Sequence, residues 1–385
     1  MTWDDDQKAA SFVSAKDPEV LKFAKAVVGP IRAAGYDAID MNLRVAMGLF
    51  EALNEYGLSY VIDPNTPSYV EATKDFLVID FLQFPSETLF YKGGDCDDLS
   101  ILYSALLEAV GVETAFVTVP GHIFLAVSLD MDPDEARKTF SDEESLIFAE
   151  GGVWIPVEIT KLHDGFLEAW RVGAEEWRNS ATAGTAALLP LRQCWQVYEA
   201  AGAEGKKDSV GLPDMIGVET AYSRQMESFI QRELYPQVEK LTQLAETSRK
   251  PQKVRNKLGV LYARYGLLDK AREVFEGILG NQVEYGPALV NMGNIHYNDG
   301  DYEKAAHYFE RAHKQLPGSA AVNLALARVN YDLGNLALVK EYYAVVREKK
   351  ESLAERFSYL ALKGTQKKRA TDVERLRAEL VWEEE

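Results

Sequence analysis

Apolar residues recur at helical spacing in two stretches near the start of the chain, residues 17–33 and 39–56. Asp17-Pro18 supplies an N-cap with proline at the first helical position, and Gly57 closes the second stretch, so two amphipathic helices are predicted. Leu58–Ile62 reads as a short strand, and Asp63-Pro64-Asn65-Thr66-Pro67 as a turn. Val70–Phe84 is mixed in pattern and is predicted helical. Gly93-Gly94 then opens into an apolar-periodic helix over 96–110 that stops at Gly111. Beyond it the chain becomes strongly β-branched, as strands are. Glu113–Val119 and His122–Leu129, joined by Pro120-Gly121, predict an antiparallel hairpin. Ser145–Glu150 and Val153–Glu158 predict a second hairpin, with Gly151-Gly152 as a turn of the primed type. Residues 130–144 between the hairpins are too acidic for a core and read as a solvated loop. Helices followed by an antiparallel sheet predict an α+β domain over 1–180. Asp164–Trp177 reads as one more helix, Asn179–Leu189 as a linker or surface strap, and Pro213–Arg249 as a long helix within a connector spanning 181–251.

From residue 252 the pattern repeats every 34 positions. Leu258-Gly259, Met292-Gly293 and Leu326-Ala327 align, as do Gly266, Gly300 and Gly334, then Phe275, Phe309 and Tyr343. Ala271, Ala305 and Val339 form another column, and Ile278, Ala312 and Val346 another. The pattern resembles the tetratricopeptide repeat, in which small residues let paired helices approach and an aromatic side chain fills the gap to the next pair. Three copies, 252–285, 286–319 and 320–353, imply an all-α solenoid, and 354–385 reads as a terminal capping helix.

Charge divides the chain. Residues 1–180 carry 13 Lys and Arg against 32 Asp and Glu, and the remainder carries 29 against 28. An acidic field of this size repels phosphate and anionic surfaces, so nucleic acid binding is not expected. No run of about 18 apolar residues is present and no basic segment leads into an apolar one at the start, so no membrane insertion is expected. The chain as given is expected to be soluble and cytoplasmic, unless it is a fragment of an exported or anchored protein. Two cysteines, Cys96 and Cys194, do not make a disulfide framework.

Chemistry concentrates at Gly93-Gly94-Asp95-Cys96-Asp97-Asp98. A thiol in the first turn of a helix lies among backbone N–H groups without helical partners and at the positive end of the dipole, which favours thiolate. The three aspartates oppose that ionisation. Asp95 reads as the N-cap, and Asp97 and Asp98 as first-turn residues. His122, at a turn-to-strand junction, is the expected base, and Glu158 the carboxylate that orients it. His163 and Asp164 are a weaker competing pair. No cofactor is expected. The acidic residues lack EF-hand spacing and no zinc pattern is present, so no metal site is assigned, with calcium on 130–144 kept as a minor alternative.

The combination of Gly94-Asp95-Cys96-Asp97-Asp98-Leu99, a helix ending Gly111-Val112, His122 on a strand, and Trp154-x-Pro156-x-Glu158-x-Thr160 resembles the transglutaminase-like superfamily of papain-related cysteine enzymes. The resemblance covers residues 80–165. It implies a papain-like core with Cys96 as nucleophile, His122 as base and Glu158 as third member, where that family usually has Asp. Such an enzyme forms a thioester at Cys96; water as acceptor makes it a peptidase or amidase, an amine makes it a cross-linker. Bacterial-type members with the short motif resemble hydrolases more often. Gln83 and Tyr91 are the side chains considered for the oxyanion hole beside the Cys96 N–H. The repeats are expected to bind a protein or peptide, with Asn256, Arg264, Asn294, Tyr297, Asn298, Arg328 and Tyr331 lining their groove. The alternative is a binding scaffold whose papain-like domain no longer catalyses.

Overall fold

The computed structural model describes residues 1–34, 36–62, 80–202, 209–361 and 380–384. The chain divides into two compact units, Met1–Glu233 and Leu234–Glu385.

In the first unit, Asp17 caps helix α1 (Pro18–Ala33) by accepting the Glu19 N–H. Asp40 caps α2 (Met41–Tyr56), which ends at Gly57 in the left-handed conformation. Strand β1 (Ser59–Tyr60) pairs in parallel with β2 (Gly93–Gly94); α3 (Pro85–Tyr91) lies between them in sequence. Helix α4 (Cys96–Ala109) buries every residue from Asp97 to Leu107. It is therefore the central helix of the unit, tied to α2 by the Tyr103 hydroxyl donating to the Ala46 carbonyl at 2.7 Å.

The sheet is antiparallel throughout, ordered β5-β6-β4-β3-β7. Its strands are β3 (Thr114–Val119), β4 (His122–Ser128), β5 (Ile147–Ala149), β6 (Gly152–Val157) and β7 (Ala187–Pro190). Helices α5 (Pro133–Thr139), α6 (Phe166–Thr182) and α7 (Leu191–Val197) follow, and α8 (Met215–Thr247) continues past the unit boundary at Glu233. Both predicted hairpins form, and the α+β class holds at this level.

Several local expectations differ. The stretch 130–144 is not only loop: Asp132 and Pro133 start α5, although Ala136 is its one buried residue. The turn between β5 and β6 lies one residue earlier than predicted, because Glu150 and Gly151 take positive φ of 55° and 73° while Gly152 pairs with Ala149. Residues 187–190, read as linker, join the sheet edge against Ala115–Thr118. Pro190 is tolerated there because an edge strand has a side that needs no donor. Of the helix expected over 70–84, residues 80–84 have no regular structure and 70–79 lie outside the described residues, as does the turn at 63–67.

The second unit is built of helix pairs: α9 (Pro251–Arg264) with α10 (Leu268–Asn281), α11 (Gly286–Asn298) with α12 (Tyr302–Gln315), and α13 (Ala320–Asp332) with α14 (Leu336–Lys349). A Cβ on Gly259 would lie 2.4 Å from the Phe275 ring, and one on Gly293 2.4 Å from the Phe309 ring. Each glycine is thus a socket for the aromatic one helix later, as the aligned columns imply. Of the capping helix expected over 354–385, the described residues hold the end of a short α15 (Glu351–Arg356) and a 3-10 turn at Ser358–Ala361, and residues 380–384 are not helical. Residues 362–379 lie outside the described residues.

Candidate functional site

Asp95 caps α4 in extended conformation and places Cys96, half-buried, as its first residue. Ser100, one turn on, donates to the Cys96 carbonyl at 2.6 Å and fixes that turn. His122 begins β4, its ring stacked 5.8 Å from Phe124 two residues along the strand. Glu158 follows the end of β6, where its N–H donates to the Ala169 carbonyl of α6 at 3.0 Å.

The structure brings the three predicted residues together. His122 Nε2 lies 2.6 Å from Glu158 Oε2, and the imidazole also hydrogen-bonds Cys96. Glu158 is 1% exposed. Its other oxygen accepts the Thr160 N–H at 3.0 Å and the Thr160 hydroxyl, so the carboxylate cannot turn away. Burial alone pushes the His122 pKa down, but the bonds to Cys96 and Glu158 and their charges outweigh it, and the ring is raised to about 10. At neutral pH it is an imidazolium facing a sulfur on one side and a carboxylate on the other.

The aspartates around Cys96 do not act as three charges. Burial, then the hydrogen bond and charge of Asp95, push Asp97 far above the carboxylate range, which makes it a neutral acid. Burial raises Asp98 to about 7, although it accepts the Gln83 N–H at 2.7 Å and the Gln83 side-chain amide at 2.6 Å.

That second bond corrects the expectation for Gln83. Its amide donors point to Asp98 and to the Gly93 carbonyl at 3.3 Å, so they are engaged in holding the glycine loop. Tyr91 is 68% exposed at the end of α3 with its ring against Phe90. Tyr60, which the sequence did not single out, is the aromatic that feels the site. Its phenol is raised first by burial and then by the charge of Cys96, and its strand partner is Gly94, two residues before the thiol. His163 bonds Asn54 at 2.9 Å instead of joining the site.

A second carboxylate was also missed. Glu176 on α6 lies 3.8 Å from His122 Nε2 and is raised by burial and then by Glu158. It arrives because α6 packs tightly on the end of β6 at Gly173, one turn earlier, where a Cβ would lie 2.9 Å from the Pro156 carbonyl. Gly173→Ala should therefore force α6 off the strand and destabilise the protein by about 1–3 kcal/mol, measured by urea unfolding. A neutral result would mean that the helix slides freely at this contact. His122, Glu158 and Glu176 offer three ligand atoms within 4.8 Å of one another, as do Asp95, Asp97 and Asp98. These are the described groups that could hold a metal ion.

In the repeats, six of the seven predicted groove residues separate into two sets, with Asn298 in neither. Asn256, Arg264 and Asn294 contact the segment 380–384. Asn256 donates to the Glu383 carbonyl at 2.8 Å, Asn294 to the Val381 carbonyl at 2.9 Å, and Arg264 pairs with Glu384 at 2.7 Å. Asn291, absent from that predicted set, bonds both the N–H and the carbonyl of Glu383. Arg328 instead stacks between the rings of Tyr297 and Phe357, Tyr297 bonds Asp332, and Tyr331 packs on Tyr359. Asn298 is exposed at the end of α11.

Among the described residues no helix is long and apolar enough to cross a membrane. No curated protein matches the chain, and no transglutaminase-like domain is identified by comparison with protein families. Residues 286–319, the α11–α12 pair, match the tetratricopeptide repeat family and form such a repeat, which suggests protein–protein interaction.

Proposed function

We propose that the first unit is a cysteine-dependent acyl-transfer hydrolase of transglutaminase-like type, a peptidase or amidase, and that the repeats bind its protein partner or substrate. The observation that carries this is the 2.6 Å contact of His122 with a buried Glu158 while the same ring bonds Cys96. Cys96 Sγ attacks an acyl carbonyl, and the C–N bond breaks as the His122 imidazolium gives its proton to the leaving amine. Water then attacks the thioester, His122 takes the water's proton, and the carboxylic acid leaves as the thiolate–imidazolium pair is restored. Glu158 holds the ring and balances its charge; Thr160 holds Glu158. The Cys96 N–H at the start of α4 faces the developing oxyanion, with the Tyr60 hydroxyl as the side-chain donor in place of Gln83.

The test is labelling of the full chain by a peptidyl acyloxymethyl ketone, followed by mass spectrometry. Cys96 should be alkylated selectively. Cys194 is 1% exposed and burial pushes its thiol up to about 11, so it should stay unlabelled. His122→Ala should slow Cys96 labelling at pH 7 by about 10²-fold or more. Equal rates in the two proteins would leave the domain as a binding scaffold.

A further inference from the structure

We propose that the repeat groove is a site for an extended peptide with an apolar residue, an aromatic and two acids in succession, and that residues 380–384 are its built-in competitor, seated in cis where a partner protein's segment of that chemistry would lie. The inference rests on the reading of the repeats as a protein-binding module and is independent of the chemistry at Cys96.

Three buried carboxamides read the main chain of this segment. Asn291 accepts the Glu383 N–H at 2.9 Å and donates to the Glu383 carbonyl at 2.8 Å, so one side-chain amide matches both polar groups of one residue. Asn256 donates to the same carbonyl, and Asn294 to that of Val381. The bonds fall on residues 381 and 383, the alternation of an extended strand. Asn256 and Asn291 are 0% exposed and Asn294 2%. These exposures hold with the segment seated; buried amides need hydrogen-bond partners, and besides the bond from Asn291 to Asn256 these three find theirs in the segment's backbone, which any extended chain can offer.

Selection comes from the side chains. Trp382 packs on an apolar cluster that α9, α10 and α11 build together, Val260, Ala263, Phe275, Met292 and Ile295 among its members. The Ser319 hydroxyl donates to Glu383 at 3.2 Å, and Arg264, at 12% exposure, pairs with Glu384. The groove thus accepts one large ring followed by two carboxylates. Because 380–384 is covalently attached, a partner must displace an intramolecular ligand, which lowers its apparent affinity without changing the groove.

The experiment measures fluorescence anisotropy of a fluorescein-labelled Leu-Val-Trp-Glu-Glu peptide, the sequence of 380–384, with three proteins: the full chain, the full chain carrying Trp382→Ala and Glu384→Ala, and that double variant with Asn291→Ala added. Circular dichroism checks that each keeps its helices, and light scattering reports mass. The double variant should bind the peptide at least about 10-fold tighter than the full chain, and Asn291→Ala should remove the gain. Equal binding by the full chain and the double variant means the segment does not cover the groove, and the inference falls while the repeats still bind peptide. Binding to neither overturns both readings, and a wild-type dimer that the double variant dissolves places the segment in trans and overturns the assignment in cis.

Discussion

Glu158→Gln should lower turnover by about 10³–10⁴-fold on an acyl substrate and bring the His122 midpoint down from about 10. The carboxylate presents one oxygen to His122 and the other to the N–H and hydroxyl of Thr160. Glutamine keeps the volume, but one of its two positions becomes an NH2 that cannot accept. That group must face either the Thr160 donors or the imidazolium, and a buried mismatch results in both cases. His122 then loses the carboxylate that helps hold its proton.

The pH dependence follows from the sign of the shift. His122 is raised above its ordinary 6.5, so its contribution to stability is complete below about 6.5 and is lost as pH rises through about 10. Glu158→Gln should therefore cost most at the acid end of that window. A figure of about 3 kcal/mol is expected, the low end for a broken buried pair, because the His122 side chain keeps 26% exposure. By pH 10 wild type and variant should converge. An NMR titration of the imidazole together with urea unfolding at pH 6.5 and 10 checks both parts. A His122 midpoint unchanged in Glu158→Gln would remove Glu158 from the role assigned to it.

The Cys96 loop was legible because its signals are local. A glycine pair, an Asp cap and an apolar run of helical period lie within about twenty residues, and the hairpin that carries His122 is marked by Pro120-Gly121. Glu158 followed from its place at the end of an apolar strand marked off by the Gly151-Gly152 turn. Other features depend on distant partners and left little trace. Glu176 is one acid among several on α6, and only the packing at Gly173 brings it to His122. Residues 187–190 are ordinary in composition until they pair with β3. Helix α5 buries one alanine, too little to give an apolar period, although its Asp132-Pro133 start could have been recognised. The three aspartates show the same limit in electrostatics: sequence counts them as three charges, whereas burial beside one another makes Asp97 neutral and brings Asp98 to about 7.

Phe309→Ala should cost the repeat unit about 3–5 kcal/mol. Phe309 is 1% exposed and joins Leu289, Val290, Val322 and Leu326 in one cluster, so its ring touches its own helix pair and the next. Repeat arrays draw their stability from each unit and its nearest neighbours only, so no distant core compensates for a lost ring. Total stabilities run to about 5–15 kcal/mol, and this one side chain accounts for a large share. The socket can be tested from the other side. Gly293→Ala puts a methyl 2.4 Å from the ring, and a cost of about 1–3 kcal/mol is expected because Phe309 is enclosed and cannot retreat. If ring and socket form one contact, Gly293→Ala should be nearly harmless once Phe309 is already Ala, and the double variant should cost less than the two singles combined. Denaturant unfolding followed by circular dichroism measures all three. Strictly additive costs would show that the columns aligned at 34-residue spacing pack independently and that the small-residue position serves some purpose other than seating the aromatic.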